Sequence, residues 1–164
     1  MENPDIRFMN LALAEARKAA AKGEVPVGAV VILGGEVVGA GFNRREEQQS
    51  PTAHAEIIAL AAASSRLHSW RMEECEIFVT LEPCLMCAGA ILQARLRRLV
   101  FGCLDPKAGA VESLYRLCSD RRLNHQLPAV GGVLAEESAA LLAEFFARLR
   151  LQKRPTHGAA AEPG

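Results

Sequence analysis

The order of elements along the 164-residue chain predicts an α/β fold, three layers α-β-α around a central five-stranded mixed sheet. Two observations predict it. A pair of β-branched runs is joined by two glycines, and downstream of it further β-branched runs alternate with helical stretches.

At the start, Asn3 can cap and Pro4 can open a helix carrying Phe8, Leu11, Leu13, Ala14, Ala19 and Ala20 and ending near Gly23. "VGAVVIL" and "EVVGAGF" flank Gly34-Gly35 and read as two strands of a hairpin, since its two-residue turn needs positive φ. The polar, proline-broken stretch 43–53, "NRREEQQSPTA", predicts a loop, with Thr52 capping the helical run "HAEIIALAAASS". "EIFVTL" is the third strand, "CLMCAGAILQAR" a helix opened by Pro83, and "RLVFGCL" a fourth strand leading into the loop "DPKAGA". This alternation predicts parallel pairing. A short helix near Ser113 to Cys118, a fifth strand in "PAVGGVL" and a helix from Glu136 to Gln152 complete the order. Residues 1–152 thus read as one domain, and 153–164, small, polar and proline-broken, as a disordered tail.

Composition narrows the function classes. Half the residues are hydrophobic, and 19 basic and 19 acidic groups cancel, so the chain as a whole offers a polyanion no long-range attraction. A nucleic acid would have to meet a local basic patch. "MENPDIRF" has no basic segment leading into an apolar one, and the longest apolar stretch, Ile57 to Ala63, is too short to span a bilayer. A cytoplasmic location without a membrane partner is expected. Five cysteines, an odd number without a secretion signal, favour metal or redox chemistry over a disulfide framework.

Cys84 and Cys87 stand three apart in the first turn of a predicted helix, where they share a face and the helix dipole favours thiolates. The pair alone suits a redox site as well as a metal. His54, at another helix start, tips the balance. Ligands of types His, Cys and Cys leave a tetrahedral zinc with one open position, as in catalytic rather than structural sites. Glu56, two residues from His54, turns away from the ligand direction and can shuttle protons at a zinc-activated water. On its own it would read as a solvated charge in a first helical turn.

His-x-Glu followed by Pro-Cys-x-x-Cys is the signature of zinc nucleobase deaminases. With "EVPVGAVVI", "GFNR", "PTAHAEIIAL", "VTLEPCLMCAGAIL", "RLVFGCLDPKAGA", "SL" and "NH", the chain resembles the bacterial tRNA-specific adenosine deaminases from about residue 7 to 150. The resemblance implies a cytidine-deaminase-like fold and one zinc per subunit on His54, Cys84 and Cys87, with Glu56 as the proton shuttle. It also implies that Asn43 contacts the flipped nucleotide, that Val27 and Ala55 line the base pocket, and that Asp105 and Lys107 lie near the anticodon backbone and neighbouring bases. The expected substrate is the wobble adenosine of an arginine tRNA, converted to inosine. The expected partners are a tRNA anticodon stem-loop and a second copy of the chain.

Arg44, Lys107, Arg148, Arg150, Lys153 and Arg154 are candidate phosphate contacts, although arginines at a helix end also suit the helix dipole. Glu112 departs from the glycine usual before "SL" and would place an anion beside the RNA cleft. Cys75, Cys103 and Cys118 read as small buried hydrophobes, and His68 and His157 as surface residues. His125 could serve a structural hydrogen bond or an RNA contact. Two other functions stay open: a deaminase of free guanine or cytosine, and a non-catalytic zinc module with Cys103 as fourth ligand.

Overall fold

A computed structural model describes residues 2–153. Apart from Lys153, the expected tail lies outside the described residues, as do Arg154 and His157. Helix α1 (Pro4–Ala21) starts as expected: Asn3 Oδ1 accepts from the Asp5 N–H at 3.0 Å and Pro4 opens the first turn. Its buried stripe is Phe8, Met9, Ala12, Leu13, Ala16 and Ala19, which leaves Leu11 exposed. β1 (Gly28–Leu33) and β2 (Glu36–Phe42) form the hairpin, with φ of +58° and +82° at Gly34 and Gly35.

Further along come α3 (Ala55–Leu67), β3 (Glu76–Leu81), α4 (Leu85–Gln93), β4 (Arg98–Cys103), β5 (Ala129–Val130) and α5 (Ala135–Gln152), preceded by a short α2 (Arg45–Gln48). The sheet order is β2-β1-β3-β4-β5. β3, β4 and β5 pair in parallel, but β1 pairs antiparallel with both β2 and β3. The alternation seen in the sequence holds in direction, since β2 runs parallel to β3 through the α3 crossover. β1 lies between the two, so that pair is never in contact.

Alternate β1 residues serve two cores. Ala29 and Val31 join α3 and α4 in a layer with Ile77, Val79, Leu99 and Phe101, while Val30 and Ile32 pack with Phe78 and Val100 against Phe8, Met9 and Ala12 of α1. α5 packs on β4 and touches α1, which completes the three layers.

Four local expectations are corrected. Thr52 does not cap α3: His54 occupies that position without a side-chain cap bond, and Thr52 instead shares a hydrogen bond with Ser50 at 3.1 Å. Within the loop 43–53, α2 forms because buried Glu24 accepts from the Glu46 and Glu47 amides at 3.0 and 2.9 Å. The helix expected at 113–118 is replaced by turns and one 3-10 turn (Leu117–Ser119), because the Glu112 and Ser113 amides are bound to Glu82. β5 has only two residues, ended by Gly131 and by Gly132 at φ +92°.

Candidate metal centre and base pocket

The site lies where β2, β3 and β4 end and β1 begins, the carboxyl-end crevice that open α/β sheets offer to ligands. Two helix starts converge there. His54 is the residue before α3 and Cys84 the residue before α4, and neither helix has a side-chain cap. Cys87 follows in the first turn of α4.

Small residues allow the approach of α3. Ala55, Ala59 and Ala63 lie against β2, and a Cβ on Gly41 would sit 2.6 Å from the Ala55 carbonyl oxygen. Only glycine lets the helix carrying His54 and Glu56 come this close.

His54 Nδ1 lies 3.6 Å from Cys84 Sγ and 3.5 Å from Cys87 Sγ. Tetrahedral zinc with ordinary zinc–nitrogen and zinc–sulfur bonds separates such ligand atoms by about 3.6 Å. The three donors all lie within 4.8 Å of one another, so they fit one ion in number, type and spacing. Cys103, offered as a fourth ligand, stays outside this cluster and donates weakly to the Thr80 carbonyl at 3.8 Å.

The side chains share protons unequally. The Cys84 thiol is brought down to about 4, chiefly because Cys87 donates to it, with His54 assisting against burial. Cys87 is pushed up, because it holds that proton for Cys84 and is buried beside Glu56. His54 is raised by its bond to Cys84, and Glu56 by burial. Binding a divalent cation must displace the Cys87 proton, which makes affinity fall with acid.

A cavity of about 220 Å³ opens beside the cluster. Of the residues expected from sequence, it gathers Val27, Asn43, His54, Ala55, Glu56, Cys84 and Asp105. Cys87 is buried outside its wall, and Lys107 is exposed on the same loop as Asp105 without lining the cavity. Asn43 is held from both ends: its Nδ2 donates to the Val25 carbonyl at 3.2 Å, and its Oδ1 accepts from the Arg45 amide at 3.2 Å.

Val25, Arg45, Leu81, Glu82 and Ala108 also line the cavity and were not singled out in sequence. Val25, Leu81, Glu82 and Ala108 lie inside the quoted motifs and Arg45 directly follows one, which is the only signal that could have found them. Nothing local announced what Glu82 does, because the amides it binds lie 23 to 31 residues further along.

The remaining candidates are placed as follows. Arg44 is paired with Glu47 at 2.8 Å and Arg148 with Glu144 at 2.5 Å, whereas Arg150 and Lys153 are exposed. Glu112 is exposed outside the cavity wall. His125 makes a structural bond, with Nε2 2.9 Å from the Leu96 carbonyl oxygen. Cys75 and Cys118 are buried, Cys103 is half-buried, and His68 is exposed at the end of α3.

Residues 2–103 match the family model of the cytidine and deoxycytidylate deaminase zinc-binding region. The chain is 45% identical over 150 residues to the tRNA-specific adenosine deaminase of Bacillus subtilis, covering 92% of this chain and 93% of that protein. To the protein of that name from Haemophilus influenzae it is 46% identical over 151 residues, covering 92% and 87%. A solved structure from work on A-to-I editing by deaminases at the wobble position of transfer RNA superposes with a TM-score of 0.80 at 46% identity, over 83% of this chain and 99% of that one. A guanine deaminase from Nitrosomonas europaea superposes at 0.76 with 26% identity, over 90% and 86%.

Proposed function

Because the chain belongs to the zinc-binding cytidine and deoxycytidylate deaminase family, and within it to the tRNA-specific adenosine deaminases, we propose that it hydrolyses the wobble adenosine of a tRNA anticodon to inosine. The observation that carries the reading is the meeting of His54, Cys84 and Glu56 on one wall of a cavity of about 220 Å³, with Cys87 directly behind. Following the resemblance of its motifs, the tRNA is an arginine tRNA.

His54, Cys84 and Cys87 are the residues that would hold zinc, one ion per chain. When bound there, zinc supplies Lewis-acid activation of water, bringing its pKa to roughly 7. Val27 and Ala55 close on the flat faces of the flipped base, and Asn43, held rigid at both ends, offers its amide edge to the nucleotide. The buried Glu56 carboxyl takes one proton from the water and delivers it to the ring nitrogen, then takes the second from the newly attached hydroxyl and delivers it to the exocyclic amine. The water oxygen bonds to the ring carbon bearing that amine, the carbon–nitrogen bond breaks, and ammonia leaves. Burial raises the Glu56 pKa, which suits a group that must both hold and release a proton near neutrality.

A base stacked in an anticodon loop cannot reach this cavity, so it must flip out, at a cost of a few kcal/mol that contacts to the loop offset. In this reading Asp105, in the cavity wall, and Lys107, exposed on the same loop, meet the flanking nucleotides and phosphates.

The active unit in this reading is a homodimer. Leu85, Leu114 and Tyr115 are exposed around the start of α4, where Cys84 bridges to Gly109 and the Leu114 amide donates to the Gly109 carbonyl at 2.9 Å. Residues 1–152 act as one deaminase domain with 153–164 as its tail. The location is cytoplasmic; among the described residues no helix is long and apolar enough to cross a membrane.

The test offers zinc-loaded protein an anticodon stem-loop with a wobble adenosine, in parallel with free guanine and free cytosine. Inosine in the stem-loop with both free bases unchanged is expected. Turnover of a free base without inosine would overturn the reading.

A further inference from the structure

We propose that Glu82, itself at the cavity wall, and Glu24 are positioning residues, each fastening one wall of the base pocket. This role in substrate recognition rests on the deaminase reading above. Both carboxylates are 2% exposed, and neither joins an ion pair among the described residues. A buried anion without a cation persists only when hydrogen-bond donors replace its hydration. Here those donors come from the two loops that form the walls.

Glu82 collects five. Its Oε1 accepts from the Asp105 amide at 2.9 Å and from the Ser113 hydroxyl, and its Oε2 accepts from the amides of Val111, Glu112 and Ser113 at 3.1, 2.8 and 2.9 Å. The loop closes so tightly over the carboxylate that a Cβ on Gly109 would lie 2.2 Å from the carboxyl carbon. Of the two cavity residues from this loop, Asp105 is itself one fastened end and Ala108 lies between it and the other end at Val111 to Ser113.

Glu24 does the same on the opposite side. Its oxygens accept from the Glu46 and Glu47 amides, which anchors the short α2; its first residue Arg45 and the nearby Asn43 are what this segment contributes to the cavity. Neighbouring Val25 holds the Asn43 amide through its carbonyl.

With its oxygens bound to backbone, neither carboxylate is free for proton transfer to substrate. A glutamine has nearly the same shape, but it turns one acceptor into a donor facing N–H groups. The two walls are what an anticodon loop meets around the flipped base. Loosening them therefore weakens substrate capture more than the chemical step.

The experiment compares wild type, Glu82→Gln and Glu24→Gln, all zinc-loaded, by zinc content, amide hydrogen exchange, and kcat and KM on the anticodon stem-loop. Zinc is expected to stay at one per chain. Exchange should quicken about tenfold or more at Val111 to Ser113 in Glu82→Gln alone, and at Glu46 and Glu47 in Glu24→Gln alone. KM should rise roughly tenfold, with kcat held within about threefold.

Unchanged exchange and KM would overturn the proposal, and so would a fall in kcat that follows zinc loss at constant KM. Should Glu82→Gln not fold, Ser113→Ala removes one donor and leaves the carboxylate. It should shift exchange and KM in the same direction by less, and wild-type values there would equally overturn the role. Absence of inosine with the wild-type protein would count against the deaminase reading instead, and the exchange measurements would still decide whether the two carboxylates fasten their loops.

Discussion

Replacing Gly41 by alanine should damage the site through the backbone of α3, without touching a functional side chain. The new Cβ would stand 2.6 Å from the Ala55 carbonyl oxygen, 2.8 Å from the Ala59 nitrogen and 2.9 Å from the Ile58 Cβ. Ordinary contact begins at 3.4 Å, so the start of α3 must retreat by roughly 0.8 Å or the strand must bend, an overpacking that costs about 1–3 kcal/mol. Metal ligand distances tolerate only about 0.2 Å, and a misplacement near 1 Å can cost about a hundredfold in rate. We therefore expect Gly41→Ala to melt several degrees lower, to lose zinc to a chelator more readily, and to deaminate about 10- to 100-fold more slowly. Gly35→Ala is the control. Its φ of +82° makes alanine costly by about 1–2 kcal/mol, but the residue lies in the hairpin turn at the other end of the sheet with open space around it. Melting temperature, zinc retention against a chelator and inosine formation should be measured on both. If Gly41→Ala keeps wild-type zinc retention and rate while losing as much stability as Gly35→Ala, the close seat of α3 does not set the site.

Cys87→Ser should lose zinc and several degrees of melting temperature together, since the donors that would hold the ion come from both helix starts; full zinc content by metal analysis would contradict the ligand set. The Glu82 carboxyl sits at about 2: burial alone would raise it, but the Ser113 hydroxyl and the amides of Glu112, Ser113 and Asp105 outweigh burial. Its folded pKa thus lies below its unfolded one, so its stabilisation is complete above about pH 4.3 and is lost as pH falls toward 2. Denaturant melts of wild type and Glu82→Gln should converge over that window, and a constant gap would refute the assignment. Leu85→Asp should convert a homodimer to monomer in sedimentation, because it places a charge on the exposed apolar surface around the start of α4.

The sequence made the metal cluster legible because its donors sit in short motifs at two helix starts, where spacing alone dictates direction. His54, Cys84 and Cys87 fall together as that reasoning expects. The hairpin was equally readable from Gly34-Gly35. The antiparallel pairing of β1 with β3 was not, since strand–helix alternation reports relative direction and says nothing of a strand inserted between. Thr52 looked like a cap because caps are recognised by residue type, yet the helix begins where metal ligands are needed. Glu24 and Glu82 stand inside quoted motifs, but their role was invisible for another reason: a buried carboxylate is explained by amides far along the chain, and no local pattern announces them.

Deamination through Glu56 is tested most directly by inosine at the wobble position of an anticodon stem-loop, made by zinc-loaded wild type and by zinc-loaded Glu56→Gln. Inosine is expected there and nowhere else with wild type, with a rate lower by about 10²–10⁴-fold in the variant at equal zinc content. Wild-type turnover by Glu56→Gln, or no inosine from folded, zinc-loaded wild type, would contradict deamination through Glu56.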